Sequence, residues 1–343
     1  MKRIIVCCDG TWQTLETPYP TNVVKLAEAI KPLSDDHIYQ ILFYDEGLGT
    51  GNLVDKIRGG AFGVGIDQAI QKAYRFLCLN YEEGDEIYLF GFSRGAYTAR
   101  CLAGLIYCSG LLKRQYIRKI PQAYELYRNR DKDTHPSGET AVKFREQYGG
   151  NVPIEVLGCW DTVGALGVPD LIPFIPLDNW LNKKYEFFDT KLNHRIKKAF
   201  HAVAIDETRK AFDVTPMTPN ADIPNQVTQI WFPGDHGCVG GGTQSTRGLS
   251  DAALDWMMAQ VAAIGLDLDK SCVEDGIKPN YQTIFHHDPK IFGIPLPRIL
   301  RKVDGEFSDL DVTVKKRWQD PSLKYKPKNL EKFQDQLNAW KAE

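Results

Sequence analysis

A pentapeptide of the form Gly-x-Ser-x-Gly, residues 91–95, is the feature of this sequence that points most directly to chemistry. An apolar run from Ile87 to Phe90 precedes it, and a segment of small residues from Ala96 to Gly104 follows it. Strand, tight turn and helix in this order expose the Ser93 hydroxyl at the carboxyl end of the strand. The N-terminus of the following helix favours a developing negative charge. The pattern therefore predicts that Ser93 is a nucleophile.

A serine nucleophile needs a base, usually histidine, and a carboxylate that orients the base. Of the seven histidines, only His236 follows a strand-like run, Val227 to Phe232, and lies among glycines. Asp161 directly follows the strand-like run Ile154 to Cys159 and its Trp160. Ser93, Asp161 and His236 thus occur in the chain order nucleophile, acid, base that is typical of α/β-hydrolases.

Asp206 is the alternative acid. It lies in the segment Lys197 to Lys210, whose pattern favours a helix, and there an ion pair with Arg209 is its ordinary interpretation. Asp161 is the first choice because it ends an apolar strand.

The developing oxyanion needs two backbone N–H donors. We expect one from Arg94, which follows the nucleophile, and the other from Gly10 or Thr11, which follow the first predicted strand, Ile4 to Cys8.

Strand-like runs alternate with helical patterns along the chain, which indicates a mainly parallel sheet flanked by helices, an α/β fold of the α/β-hydrolase type. We predict a single domain over residues 1–330 and a helical tail over 331–343. Insertions at about 165–195 and 280–318 are candidates for a cap or lid. Within them, the apolar segments Ala165 to Trp180 and Ile284 to Ile299 are expected to line an acyl pocket.

The charge balance argues against a nucleic-acid partner, since 42 Lys and Arg residues face 44 Asp and Glu residues, for a formal net charge of −2. The short basic clusters Arg298 to Lys302 and Lys315 to Arg317 are expected on the solvated surface. No apolar run reaches the roughly 18 residues that span a bilayer, and the N-terminus does not resemble a signal peptide. We expect a cytoplasmic protein with reduced cysteines, compatible with export by a signal-independent secretion system.

Three other interpretations of the motifs have less support in the sequence. The run after the first strand resembles an aspartyl-phosphate motif, but Cys7 stands where the nucleophilic aspartate would be. The glycines of residues 47–51 match a dinucleotide-binding loop only in part. A metal bound by Asp9, Asp161 and Asp235 is not demanded by their spacing, so we expect neither a metal nor a cofactor.

Seven short motifs occur together in a recognisable order: residues 8–12, 21–23, 44–51, 91–97, 160–164, 204–207, and 231–236 followed by 240–242. Over about residues 3–330 the sequence resembles the α/β-hydrolase domain of type VI secretion lipase effectors and their uncharacterised relatives. The resemblance implies a Ser-Asp-His esterase or phospholipase acting on glycerophospholipid acyl esters, with Ser93, Asp161 and His236 as nucleophile, acid and base. Gly237-Cys238-Val239 departs from the Ser-Asp-Val that family members tend to carry.

The sequence therefore predicts a serine hydrolase that cleaves acyl esters, with lipids or phospholipids as the substrate class. The alternatives are a catalytically silent hydrolase fold that serves as a binding module, and an esterase that acts on a soluble ester. A lipid substrate implies transient contact with a membrane surface, and the resemblance raises the question of a secretion or immunity partner.

Overall fold

The computed structural model describes residues 1–10, 13, 15–47, 61–129, 131–164, 191–223, 225–288, 290–291, 294–295 and 297–341. Its strands are β1 (Arg3–Cys8), β2 (Gln40–Asp45), β3 (Glu86–Phe92), β4 (Leu111–Leu112), β5 (Gly149–Gly150), β6 (Ile154–Trp160), β7 (Ile196–Ala204), β8 (Val227–Phe232), β9 (Lys290–Ile291) and β10 (Ile294–Pro295). Its α-helices are α1 (Asn22–Ala29), α2 (Ala61–Asn80), α3 (Arg94–Ser109), α4 (Ile120–Arg128), α5 (Glu139–Tyr148), α6 (His236–Gly240), α7 (Arg247–Ala262), α8 (Val312–Gln319) and α9 (Gln334–Ala339).

Six strands form the central sheet in the order β2-β1-β3-β6-β7-β8, and every neighbouring pair is parallel. Parallel sheets are covered on both faces, so their strands are apolar throughout, and all six residues of β1 are buried. The predicted α/β class, with a mainly parallel sheet flanked by helices, is confirmed. The carboxyl ends of the strands lie along one edge of the sheet, where the loops that follow them meet.

The two faces of the sheet bury different side chains of the same strands. In β1, Ile4 and Val6 pack in a cluster with α2, α3 and α4, whereas Ile5 and Cys7 pack in a second cluster with α1 and α7. This alternation follows from the two-residue period of a strand. All eight cysteines have free thiols, and only Cys272 is exposed.

The segment Lys197 to Lys210, predicted as a helix, is instead strand β7 and the loop that follows it. Residues 199–204 are all buried, and a continuous apolar run that is buried on both faces has no period by which a strand differs from a helix. The correction matters for the site, because it moves Asp206 from a helix to a loop at the carboxyl edge of the sheet.

The C-terminal region packs against the β7 and β8 side of the sheet. Trp231 of β8 shares a buried cluster with Val314 and Trp318 of α8, and with Leu330 and Leu337 near the C-terminus. Of the two predicted insertions, residues 165–190 lie outside the described residues, and the division of the chain at residue 330 stays a prediction. None of the described helices combines the length and the apolar character needed to cross a bilayer.

Candidate active site

Ser93 occupies a strained turn between β3 and α3. Its backbone has φ 57° and ψ −121°, outside the regions that non-glycine residues ordinarily adopt. The flanking glycines are required by space: a Cβ on Gly95 would lie 2.0 Å from the carbonyl oxygen of Cys8, and one on Gly91 would lie 2.4 Å from that of Gly95. The sequence Gly-x-Ser-x-Gly therefore lets β3, β1 and α3 approach closely while the serine is held in the turn.

His236 lies beside Ser93. It begins the short helix α6, four residues after β8 ends, and its Nε2 is 2.9 Å from Ser93 Oγ. The imidazole is buried between the rings of Phe92 and Phe212, whose centroids are 4.6 and 4.9 Å away. Gly240 allows this packing, because a Cβ there would lie 1.9 Å from the Phe92 ring. The glycines near His236 thus make room for the aromatic ring that contacts the imidazole.

Asp161 completes a chain of hydrogen bonds. It directly follows β6, its carboxylate is fully buried, and its Oδ2 is 2.5 Å from His236 Nδ1. The backbone N–H of Ala204 donates to Oδ1 at 3.0 Å. An Nδ1–H donated to Asp161 leaves Nε2 as the acceptor for the Ser93 hydroxyl, which is the arrangement in which a histidine can take the serine proton.

Arg301 also reaches this carboxylate, and the sequence reasoning missed it. Its Nη1 donates to Asp161 Oδ1 at 2.7 Å and its Nη2 to Oδ2 at 3.0 Å. Burial alone would raise the pKa of Asp161, but the charge of Arg301 and the hydrogen bond from His236 hold that pKa well below its usual range. The carboxylate therefore stays ionised.

The expectation that the two basic clusters lie on the solvated surface is wrong for one arginine in each, although Lys302 and Lys316 are exposed. Arg301 is 2% exposed and Arg317 is 3% exposed. Nothing in the local pattern marks Arg301, because its position depends on a distant contact: residues 297–299 hydrogen-bond to residues 208–210 and so bring the chain back to the carboxyl edge of the sheet.

Two of the three predicted oxyanion donors, Arg94 and Gly10, lie next to Ser93. Arg94 is the first residue of α3, so its backbone N–H belongs to the helix N-terminus. Gly10 is adjacent to the nucleophile, since a Cβ on it would lie 3.3 Å from Ser93 Cβ. Its N–H, however, donates to Asp9 Oδ1 at 2.7 Å. Thr11 lies outside the described residues.

Asp9 is buried in the same loop and accepts three hydrogen bonds. Besides the Gly10 N–H, the hydroxyls of Thr21 and Tyr44 donate to its Oδ2 at 2.7 and 2.8 Å. Burial raises the pKa of Asp9 to about 6, although the three hydrogen bonds oppose the rise. Asp9 thus orders the loop that follows β1 and holds the Gly10 amide.

Asp206, the alternative acid, does not contact the imidazole. Its Oδ2 accepts the Gly234 N–H at 2.6 Å and the Tyr325 hydroxyl at 2.8 Å, and burial raises its pKa to about 6. The ion pair expected between Asp206 and Arg209 is wrong as well, because Arg209 pairs with Glu207. Asp206 instead supports the loop that leads to His236.

Among the described residues, Glu207, Asp235 and His287 place three possible metal ligands within 4.8 Å of one another. Arg209 donates to both carboxylate oxygens of Glu207, and His287 Nδ1 lies 3.1 Å from Asp235 Oδ2. A guanidinium inside the group already compensates the carboxylate charge, so these contacts fit an ion-pair network better than a cation site. The network supports His236, whose backbone N–H donates to Glu207 at 3.3 Å.

A cavity of about 580 Å³ lies beside the carboxyl-terminal half of α3, and Ser93 is not among its lining residues. It is bounded by Arg100, Tyr107 and Leu157 and by residues 191–193, which directly follow the undescribed segment 165–190. The predicted acyl-pocket segment Ala165 to Trp180 falls in that undescribed segment.

Comparison with known proteins identifies the family. The sequence model described as "T6SS, Phospholipase effector Tle1-like, catalytic domain" matches residues 2–260. Uncharacterized protein YEL023C of Saccharomyces cerevisiae is 29% identical over 248 residues, which cover 65% of this chain and 34% of that protein. The chain thus spans about a third of the length of this curated relative.

Two solved structures are weakly similar to this chain. An uncharacterized protein from Pseudomonas aeruginosa aligns with a TM-score of 0.44 and 17% identity, over 81% of this chain and 49% of that chain. The Tle1 effector bound to the VgrG spike from the type 6 secretion system aligns with a TM-score of 0.41 and 19% identity, over 70% and 51%. At these TM-scores neither structure carries an argument about this chain. The family model alone matches well over half of it, and the chain therefore belongs to the family of type VI secretion Tle1-like phospholipase effector catalytic domains.

Proposed function

We propose that this protein is a serine hydrolase that cleaves carboxylic esters through an acyl-enzyme, with the acyl esters of lipids or phospholipids as its substrate class. The observation that carries the proposal is the hydrogen-bonded chain from Ser93 through His236 to Asp161. The family supports the substrate class, because its description names phospholipase effectors.

In the first half-reaction, Ser93 Oγ attacks the ester carbonyl carbon while His236 Nε2 takes the hydroxyl proton. Asp161 stabilises the imidazolium that forms, and the tetrahedral oxyanion is held by the Arg94 N–H and a second donor from Gly10 or Thr11. The imidazolium then gives its proton to the leaving alcohol as the carbon–oxygen bond breaks. Water hydrolyses the acyl-enzyme by the same steps, with His236 again as the base.

The Gly10 amide can be the second oxyanion donor only if the loop that follows β1 changes its conformation. While Gly10 donates to Asp9, its amide is not aimed at a substrate. We propose either that the Gly10 amide turns towards the substrate on binding or that Thr11 is the donor.

Fatty-acid release from phospholipid vesicles tests the proposal. We expect wild type to release fatty acid and Ser93→Ala to lose at least about 10³-fold in rate. Ser109→Ala is a matched control, since Ser109 is a buried serine at the other end of α3 whose hydroxyl donates to the carbonyl of Ala123, and it should retain activity. Equal release by wild type and Ser93→Ala would refute the proposal.

The same preparation separates the alternatives. Hydrolysis of short p-nitrophenyl esters without release from vesicles would indicate a soluble ester as the substrate. Folded wild-type protein that hydrolyses neither would favour the catalytically silent binding module. The family description also supports delivery by a type VI secretion system, which co-purification with components of that system would test.

A further inference from the structure

Arg301 is buried deep in the proposed active site. Its side chain is fully buried, and its Nη1 and Nη2 also donate to the backbone carbonyls of Ala204 and Phe212. Ala204 ends β7, and its N–H donates to the same carboxylate oxygen as Arg301 Nη1. The guanidinium therefore ties Asp161 to the end of the neighbouring strand.

The hydrogen bonds of Arg301 fix the orientation of the Asp161 carboxylate. Asp161 has φ 37°, a left-handed backbone conformation that is uncommon for residues other than glycine. Four hydrogen bonds reach its two oxygens: Oδ1 accepts from Ala204 and Arg301, and Oδ2 accepts from His236 and Arg301. A planar guanidinium that holds both oxygens fixes the plane of the carboxylate, and with it the direction from which Oδ2 meets the imidazole.

We propose that Arg301 is a positioning residue of this hydrolase, which acts through Asp161 by fixing the plane of its carboxylate and by lowering the proton affinity of the Asp161–His236 pair. The inference rests on the proposed function and deepens it. None of the contacts described joins Arg301 to Ser93 or to the position that a substrate would occupy.

The charge effect follows from electrostatics. A proton that binds the Asp161–His236 pair, on either residue, adds positive charge next to a buried guanidinium. The base works only when the pair has not yet taken up that proton. Arg301 therefore extends activity towards lower pH, whereas an unopposed buried carboxylate would hold the imidazolium more tightly.

Other charged or titratable groups face the pair and remain the same when Arg301 alone is changed. His201 is neutral, since burial lowers its pKa to about 3. The remaining groups lie in neighbouring loops and the late segment, and they are Glu207, Arg209, Asp213, Asp235 and His287.

The experiment is the pH profile of kcat/KM for a soluble p-nitrophenyl ester with Arg301→Met and Arg301→Lys. We expect the acid limb of Arg301→Met to move up by about 1 to 2 pH units, the size expected for a unit charge roughly 6 Å away at an effective dielectric constant of about 20. Arg301→Lys keeps the charge but loses the planar fork, so its acid limb should stay within about 0.5 unit of wild type while its plateau kcat falls at least about tenfold.

The control is Arg317→Met. Arg317 is a second buried arginine, which donates to the carbonyls of Tyr281 and Thr283. It should leave the acid limb in place. A purely structural Arg301 would lower the plateau without moving the limb of Arg301→Met, and that result would overturn the charge effect. Wild-type kcat in Arg301→Lys would overturn the positioning effect. If Arg301→Met does not fold, the kcat of Arg301→Lys alone tests the inference.

A measurement without turnover separates this inference from the proposed function. The protonation midpoint of the Asp161–His236 pair, followed by NMR of the imidazole, should rise in Arg301→Met by the same amount as the acid limb. A rise in protein that hydrolyses no ester would refute the proposed function, but it would leave standing the effect of Arg301 on the proton affinity of the Asp161–His236 pair. An unchanged midpoint would refute the inference itself.

Discussion

Replacing Asp161 with asparagine separates the two acids that the sequence leaves open. An asparagine amide group facing His236 would donate to Nδ1 and so force the tautomer whose Nε2–H points at Ser93 Oγ, now 2.9 Å away. The base would then carry a proton where it must accept one. We expect kcat to fall about 10⁴-fold, which corresponds to about 5 kcal/mol of transition-state stabilisation.

The same substitution should lower stability, because Arg301 would lose its counter-ion in a fully buried position. Breaking one partner of a buried ion pair costs about 3–5 kcal/mol. We expect about 3 kcal/mol, at the lower end, since Arg301 keeps its hydrogen bonds to the carbonyls of Ala204 and Phe212. Urea unfolding followed by circular dichroism measures this loss, and kcat/KM with a p-nitrophenyl ester, measured well below the unfolding transition, gives the loss of activity.

Asp206→Asn is the matched control. Asp206 is also a buried carboxylate near the carboxyl edge of the sheet, but it bonds Gly234 and Tyr325 rather than the imidazole. We expect its kcat/KM to fall less than about tenfold, because the geometry of Ser93 and His236 is kept. Asp161→Asn within tenfold of wild type, or an equal loss in Asp206→Asn, would refute the assignment of the acid.

Two further predictions concern Asp9 and Gly240. Burial raises the pKa of Asp9 to about 6 from an ordinary 3.8, so the folded state binds a proton at this carboxyl group more tightly than the unfolded chain does. The stability that this proton contributes is present below pH 4 and is lost as pH rises through 6. Relative to that of Asp9→Asn, the free energy of unfolding of wild type, measured with urea, should therefore fall by about 2.5 kcal/mol between pH 4 and pH 7, and parallel curves for the two proteins would contradict this. Gly240→Ala should push the Phe92 ring against His236, with a loss of about 1–3 kcal/mol in stability and at least about tenfold in kcat. Gly150→Ala, where an added Cβ contacts nothing within 4 Å, should change neither, and similar effects of the two substitutions would remove the steric argument.

Much of the site follows from the sequence because its parts lie directly after strands of one parallel sheet. Ser93 and Asp161 each follow a strand by one residue, and His236 follows β8 by four. Parallel strands end at the same edge, so side chains that are distant in sequence meet there once the strand order is known. The local signals sufficed to place these three residues, although their catalytic roles remain proposals.

Other features depend on contacts that no local pattern encodes. Arg301 reaches the site because residues 297–299 pair with residues 208–210, almost ninety residues earlier. The pattern of Lys197 to Lys210 favours a helix although most of the segment forms β7, because a strand buried on both faces has no alternation of apolar and polar residues. The hydrogen bond from the Gly10 N–H to the Asp9 carboxylate depends on the conformation of the loop that follows β1. A glycine allows that conformation but does not specify it.

Fluorophosphonate labelling read by intact mass and peptide mapping tests the central claim most directly. The reagent forms a covalent adduct with a serine only where a base has activated that serine, and it needs no knowledge of the substrate. We predict one adduct per chain, located on Ser93, and none in Ser93→Ala protein that retains the circular dichroism spectrum of wild type. Folded wild-type protein that stays unlabelled, or an adduct on a different serine, would contradict the account.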